Sequence, residues 1–127
     1  MKKSVENLAT SKITGGRRKP LRIRRKYETD RYPNEAINGA QVTITRRVRG
    51  NNNKVALKSI DFVNLATKNA KVVKSKIIKV LDNATNNDYK RRGIISKGAI
   101  LETQEGKCRV VSKPGQNGIV NAVLLKE

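Results

Sequence analysis

The sequence predicts an all-β protein, with a small antiparallel β-barrel domain over residues 41–127 that follows a basic, extended N-terminal arm over residues 1–40. Two observations support this prediction. From residue 41 onward, short segments rich in Val, Ile and Thr alternate with Gly and Asn clusters, a pattern typical of small barrels and sandwiches. Residues 1–40 instead carry few clustered apolar side chains and several Pro and Gly residues, so they lack the means to build a core of their own.

The arm contains a dense run of positive charge. Seven of the ten residues 17–26 are basic, and they follow a turn signal at Thr14-Gly15-Gly16. Such a segment suits a polyanion, because each Lys or Arg can replace a condensed counterion on a phosphate. Glu28 and Asp30 lie between Lys26 and Arg31, so local salt bridges are expected to pin the end of the arm to the domain. A disordered tail is the alternative, but disorder alone does not require this density of Arg.

The first strand of the predicted barrel begins at residue 42, where Val42, Ile44 and Val48 share one face. Residues 50–53, one Gly and three Asn, follow as a loop because both residue types tolerate positive φ. Further strands are predicted, in order, over residues 55–59, 97–103, 107–112 and 119–125, with turns at Glu105-Gly106 and residues 114–118. The last strand is almost continuously apolar, so both its faces are expected to be covered.

Residues 71–84 are ambiguous between a helix and a strand. Val73, Ile77 and Leu81 have helical spacing, but the segment is dense in β-branched Val and Ile, which favours a strand. Adjacent apolar pairs break the strict alternation of a strand, and a bulge or burial of both faces accounts for them. We therefore favour a strand, followed by a turn over residues 83–88 and a second strand over residues 89–96.

The charge of the chain indicates a polyanionic partner. The formal net charge is +19, from 29 Lys and Arg against 10 Asp and Glu, and the pI is about 10.7. Nucleic acid is favoured over a membrane surface, because the basic stretches carry no Trp or Phe and no long apolar face. No apolar run approaches the ~20 residues of a membrane span, and no secretory signal is expected. The single cysteine, Cys108, fits a reducing cytosol.

An enzymatic function has little support. The chain lacks histidine, the usual general base at neutral pH and the commonest zinc ligand, so no catalytic residue, metal, cofactor or small-molecule substrate is predicted. Cys108 lies between Lys107 and Arg109, whose charges can lower the pKa of a thiol. We prefer the interpretation that Cys108 is an inward-facing strand residue, and keep a Cys108-dependent enzyme as the alternative.

The expected mode of recognition is contact with phosphates, 2′-hydroxyls and the shape of folded RNA. Aromatic residues are too scarce for a base-stacking platform. Tyr27 can stack on a base or anchor the arm to the domain, and we prefer the anchor. For the Asn clusters, plain turn geometry is an equal alternative to RNA contact. A DNA-compacting chromatin protein is a further alternative. The candidate RNA-binding residues are Lys12, Arg17, Arg18, Lys19, Arg22, Arg24, Arg25, Lys26, Arg31, Arg46, Arg47, Arg49, Asn51, Asn52, Asn53, Lys54, Asn86 and Asn87.

An ordered set of motifs runs from residue 14 to the C-terminal segment. The motifs are Thr14-Gly15-Gly16-Arg17-Arg18-Lys19-Pro20, Lys26-Tyr27-Glu28, Val48-Arg49-Gly50-Asn51, Asn64-Leu65-Ala66-Thr67, Asn83-Ala84-Thr85-Asn86-Asn87, Lys97-Gly98-Ala99-Ile100, Ser112-Lys113-Pro114-Gly115-Gln116-Asn117-Gly118 and Val120-Asn121-Ala122-Val123-Leu124. In these motifs the chain resembles the archaeal and eukaryotic small-subunit ribosomal protein family numbered eight with the suffix e, which is unrelated to bacterial protein eight. The last two motifs are similar to the archaeal branch.

The resemblance implies a non-enzymatic structural component of the small ribosomal subunit in the cytoplasm. It implies that small-subunit rRNA and neighbouring small-subunit proteins are the partners, and that a barrel-like domain and a basic N-terminal extension bind the rRNA. The chain lacks the long insertion that eukaryotic members carry after the Gly98 region, so functions of that insertion are not expected. Composition without the resemblance predicts only a basic, RNA-binding β protein.

Overall fold

The computed structural model describes residues 11–16, 22, 25–28, 32–67, 69 and 71–125. The chain divides into two compact units, Met1–Pro33 and Asn34–Glu127. The predicted arm ended at residue 40, but residues 34–40 belong to the second unit because they contribute a strand to it.

The first unit contains a tight turn at Lys12 to Gly16. The backbone N–H of Lys12 donates to the carbonyl of Gly16 (2.8 Å), and that of Gly15 donates to the carbonyl of Lys12 (3.0 Å). Gly15 has a φ of +81°, which glycine adopts at little cost. The turn predicted at Thr14-Gly15-Gly16 is therefore confirmed. Further along this unit, Lys26–Glu28 form one 3₁₀ turn.

The second unit consists of two sheets. The first sheet has four strands in the order β2-β3-β1-β6: β1 (Ala36–Asn38), β2 (Val42–Arg47), β3 (Asn53–Ile60) and β6 (Ile94–Ile95). β1 runs parallel to β3, and the other two pairs are antiparallel.

The second sheet is a closed barrel, which confirms the predicted fold class. Its strands, in spatial order, are β4 (Phe62–Ala66), β5 (Val72–Asp82), β7 (Ile100–Thr103), β8 (Gly106–Val110) and β9 (Asn121–Leu124). Neighbouring strands are antiparallel except where β9 meets β4 in parallel and closes the ring. Because β1, β2, β3 and β6 stand outside this ring, the barrel does not extend over the whole of residues 41–127 as predicted.

One apolar core serves both sheets. Leu57 and Ile95 of the first sheet pack in the same cluster as the inward-facing side chains of the barrel. The fully buried large side chains are Leu57, Leu65, Leu101, Val63, Val110, Val120 and Cys108. The two sheets are therefore parts of one domain.

Most of the segment 71–84 forms a strand, as favoured, rather than a helix. β5 is continuous over 11 residues and pairs with β4 on one side and β7 on the other. Its register against β7 shifts between Ile77 and Lys79 and again between Val80 and Asp82. Ile77 is buried while Ile78 is exposed, so bulges rather than burial of both faces explain the adjacent apolar pairs.

Two short helices replace parts of the predicted strands and turns. α1 (Asn87–Arg91) takes the first three residues of the strand predicted over residues 89–96, of which only β6 remains. The Oδ1 of Asn86 accepts a hydrogen bond from the N–H of Asp88 (2.9 Å) and caps α1, a local interaction that starts a helix. The predicted turn over residues 114–118 contains α2 (Pro114–Asn117), which ends at Gly118.

The last strand differs from its prediction. Val120 and Ala122 are buried, but Ile119, Val123 and Leu125 are exposed over 37–48% of their surface. β9 therefore covers the core with one face only, and its other face lies on the outside of the barrel.

Candidate nucleic-acid interface

The β2–β3 hairpin presents the largest group of predicted RNA-binding residues that the structure describes. Its loop is closed by the N–H of Val48, which donates to the carbonyl of Asn52 (2.8 Å). Gly50 and Asn51 adopt left-handed φ values of +73° and +58°, which Gly and Asn tolerate best. The predicted loop is thereby confirmed. The exposed side chains at its tip are Arg47, Arg49, Asn51, Asn52 and Asn53.

Two cations face each other directly across this hairpin. Arg46 on β2 is in register with Lys54 on β3, an arrangement that is unfavourable without an anion nearby. Each cation is held by a neutral amide instead of a carboxylate. Arg46 donates to the Oδ1 of Asn34 (3.1 Å), and Lys54 donates to the Oε1 of Gln116 (2.9 Å). Within the residues that the structure describes, their positive charges are therefore positioned but not neutralised.

α2 packs against β3 and positions one of these amides. A Cβ added at Gly118 would lie 2.7 Å from the Cγ1 of Val55, and one at Gly115 would lie 3.1 Å from the Cβ of Asn34. Such close approach requires glycine at the end of α2. Gln116 lies between these two glycines and thereby comes within reach of Lys54.

Three carboxylates of the domain pair with cations around α1. Around α1, Glu35 binds Arg92 in a bidentate pair (2.6 and 2.9 Å), and Asp88 contacts both Arg91 and Arg92. Asp82 pairs with Lys90 at 3.2 Å. The hydrogen bond from Lys90 and that from the backbone N–H of Asn83 hold the pKa of Asp82 below its usual value.

The two predicted Asn clusters differ in their surroundings. Asn51, Asn52 and Asn53 belong to the uncompensated hairpin tip. Asn86 and Asn87 begin α1, in the charge-balanced region, and the capping bond of Asn86 supports plain turn geometry there. RNA contact by Asn86 and Asn87 stays a prediction without further support.

The arm is described in part. Lys12, Arg22 and Arg25 are exposed. Glu28 accepts two hydrogen bonds from the guanidinium of Arg22 (2.7 and 2.6 Å) and one from the N–H of Arg25 (3.1 Å). Glu28 thus forms a local salt bridge within the first unit, and attachment of the arm to the domain stays a prediction. Tyr27 is 66% exposed, which leaves its ring open for stacking. Other predicted residues lie outside the described part of the chain: Arg17, Arg18, Lys19, Arg24, Asp30, Arg31 and the side chain of Lys26.

Cys108 is buried and points inward, as we preferred. Burial raises the pKa of its thiol, although the backbone of Leu101 and the side chain of Thr103 partly oppose that shift. The direction is opposite to that expected from the adjacent cations, because Lys107 and Arg109 point to the other side of β8.

Within the described residues, no group of three or more His, Cys, Asp or Glu side chains is placed to hold a metal. No helix in that part is both long and apolar enough to cross a membrane.

Sequence analysis missed a second polar group, on the outside of the barrel. Asn64 of β4 donates to the Oδ1 of Asn121 of β9 at 3.0 Å, across 57 residues of sequence. Beside them, the Nζ of Lys74 lies 4.5 Å from the ring centroid of Phe62. Each asparagine belongs to a motif noted in the sequence, but only the parallel pairing of β4 with β9 brings the two together.

Comparison with known proteins gave consistent matches. The family profile for ribosomal protein S8e matches residues 6–125. Three similar proteins are each named small ribosomal subunit protein eS8. That of Sulfolobus acidocaldarius is 43% identical over 91% of this chain and 92% of its own length. That of Methanocorpusculum labreanum is 43% identical over 91% and 93%, and that of Haloarcula marismortui is 44% identical over 91% and 93%.

Proposed function

This chain belongs to the ribosomal protein S8e family, as its motifs predicted, and we propose that it is a structural component of the small ribosomal subunit that binds and stabilises folded rRNA. Its partners are small-subunit rRNA and neighbouring small-subunit proteins, and its place is the ribosome of the cytoplasm. Its contribution is binding and positioning, without a catalytic step.

The observation that carries the RNA-binding proposal is the opposed pair of cations on the β2–β3 hairpin. Arg46 and Lys54 lie in register and are held by Asn34 and Gln116, with no carboxylate partner in the described part of the chain. Two like charges kept face to face raise the free energy of the isolated protein. A phosphate group between or beside the two cations would make the arrangement favourable, because it supplies the missing negative charge.

The hairpin tip adds directional contacts. Arg47 and Arg49 are exposed, and an Arg guanidinium can bind a phosphate through two parallel hydrogen bonds. The amides of Asn51, Asn52 and Asn53 both donate and accept, which suits 2′-hydroxyls and base edges. We propose that the hairpin lies against folded rRNA and that the basic arm over residues 17–31 passes between RNA helices. The arm would neutralise phosphates packed too closely to coexist otherwise.

A sucrose-gradient profile tests the proposed function. The tagged full-length protein, expressed in an archaeal host, should comigrate with small ribosomal subunits and remain with them through a second gradient in moderate salt. Arg47→Ala combined with Arg49→Ala should weaken this association without changing the melting temperature of the purified protein. Recovery at the top of the gradient, or copurification with DNA in place of rRNA, would reject the ribosomal assignment and favour a chromatin protein.

A further inference from the structure

The outside of the barrel carries a polar face that the proposed hairpin and arm do not use. We call it the wall face, and its side chains come from β4, β5, β8 and β9. The members are Phe62, Asn64, Lys74, Lys76, Arg109 and Asn121. All six are exposed, while the residues that alternate with them, such as Val63, Leu65, Ser75 and Val110, are buried inside the barrel.

Two amides form the centre of the wall face. Asn64 is in register with Lys74 on one side and with Asn121 on the other, so the three side chains form a row across three strands. The hydrogen bond between the amides (3.0 Å) holds both in place. It leaves the Oδ1 of Asn64 and the amino group of Asn121 without a partner among the described residues. The pair therefore presents both an acceptor and donors to solvent.

The cations of the wall face are also held in position. The ammonium group of Lys74 lies over the ring of Phe62, which limits the freedom of an otherwise flexible side chain. Lys76 is the direct cross-strand neighbour of Phe62, and Arg109 is in register with Val123 beside the amide row. The wall face thus places three cations around a pair of amides.

Acidic residues are missing from the strands that form the wall face. β4, β8 and β9 contain none, and the single acidic residue of β5 is Asp82 at its end, which pairs with Lys90. Further along β5, Lys79 is paired with Glu102 of β7 at 3.2 Å. Among the residues that the structure describes, the charge of Lys74, Lys76 and Arg109 is therefore uncompensated, whereas that of Lys79 is balanced.

We propose that the wall face is a second RNA-binding surface. It binds the ribose–phosphate backbone of an rRNA strand other than the strand that the hairpin binds. This inference rests on the proposed function. Lys74, Lys76 and Arg109 contact phosphates, and the Asn64–Asn121 pair exchanges hydrogen bonds with a 2′-hydroxyl, which both donates and accepts. Phe62 acts as a positioning residue for the ammonium group of Lys74. A carboxylate-bearing peptide would match the cations but would not need the paired amides.

Two variants of the full-length chain test the wall face. One removes a charge that would contact a phosphate, and the other removes an amide that would contact a 2′-hydroxyl. In filter binding to in-vitro-transcribed archaeal small-subunit rRNA, Lys74→Ala should weaken binding several-fold and flatten the slope of log K against log salt by about 0.7–0.9. Asn121→Ala should weaken binding to the RNA about 2- to 10-fold with an unchanged salt slope. It should not change binding to single-stranded DNA of the same sequence, which lacks the 2′-hydroxyl.

Lys79→Ala is the matched control, because it removes the same charge from the same strand at a site already balanced by Glu102. It should bind rRNA like the wild type, and the thermal melts of all three variants should agree with that of the wild type within a few degrees. If Lys74→Ala and Asn121→Ala keep wild-type affinity and salt slope while Arg47→Ala weakens binding, the wall face does not bind RNA. The exposed Val72 and Val123, which lie beside the wall face on β5 and β9, would then point to a protein neighbour. If the wild type itself shows no preference for rRNA, the proposed function fails as well.

Discussion

Gly98 is held in a conformation that L-residues avoid. Its φ is +88°, and its N–H donates to the carbonyl of Val110 at 2.8 Å, so the backbone cannot relax without losing a hydrogen bond. A Cβ at this position would meet no atom within 4 Å, and the cost of a substitution therefore comes from φ alone.

Gly98→Val should lower the free energy of unfolding by about 1–3 kcal/mol. Gly98→Asn should cost clearly less, because Asn tolerates left-handed φ. Urea denaturation of both variants measures the difference. Equal losses for Val and Asn would show that something other than φ sets the cost.

Cys108 makes the stability of the protein vary with pH in the alkaline range. Burial raises the pKa of its thiol, so the unfolded chain loses the proton at a lower pH than the folded protein does. The stability that Cys108 contributes is therefore fully present below the ordinary thiol pKa of about 8.5 and decreases as the pH rises above it.

Cys108→Ala should cost about 1–2 kcal/mol at neutral pH, because it empties buried volume. That cost should shrink between about pH 8 and pH 10, as measured by urea denaturation of the wild type and the variant in parallel. The comparison cancels the titration of lysines common to both. A cost that stays constant over this range would contradict the assigned burial of the thiol.

At the scale of elements, α2 and β3 approach so closely that the junction accepts only glycine. Gly118 combines a φ of +70° with a Cβ position 2.7 Å from the Cγ1 of Val55. Gly118→Ala should therefore destabilise by about 2–4 kcal/mol, which adds overpacking to backbone strain. Adding Val55→Ala should restore only the part of the free energy of unfolding that was lost to overpacking. Thermal melts of the single and double variants separate the two contributions, and no recovery would place the whole cost in the backbone.

A substitution that relieves the charge repulsion in the β2–β3 hairpin should raise the stability of the protein and weaken its binding to rRNA. Lys54→Glu would place a carboxylate opposite Arg46 and should raise the free energy of unfolding by about 0.2–1 kcal/mol. The same change should weaken rRNA binding and flatten its salt dependence, because one phosphate contact is lost. Lys54→Gln separates charge removal from charge reversal. A Lys54→Glu variant that is both more stable and equally tight in binding would show that the opposed cations do not serve RNA.

At the scale of the whole molecule, the arm should carry much of the RNA affinity and little of the fold. The core residues lie in the unit that begins at Asn34. Deleting residues 1–26 should therefore leave the melting temperature nearly unchanged and should weaken rRNA binding. Each lost phosphate contact should flatten the salt slope by about 0.7–0.9. Unchanged affinity and salt slope in the truncated protein would make the arm a passive tail.

The elements that sequence predicted best are those governed by neighbours along the chain. The Gly50-Asn51 loop, the turn at Gly15 and the strand character of β5 follow from φ preferences and β-branching, which act locally. Predictions failed where a local alternative was equally good or the outcome depended on distant partners. Asn86 begins α1 in a segment whose composition resembled a strand, and β9 exposes one face of a run that is apolar on both.

By itself, the sequence determined the class of this protein: a basic, mostly β chain whose excess charge predicts a polyanionic partner. Only the tertiary structure decided how β4 and β9 close the barrel, which places Asn64 against Asn121. It also decided that Gln116 rather than a carboxylate binds Lys54. The physical reason is that backbone preference and net charge are sums over local contributions, readable residue by residue. Strand pairing and charge compensation depend on which distant segments gain most by packing on one core.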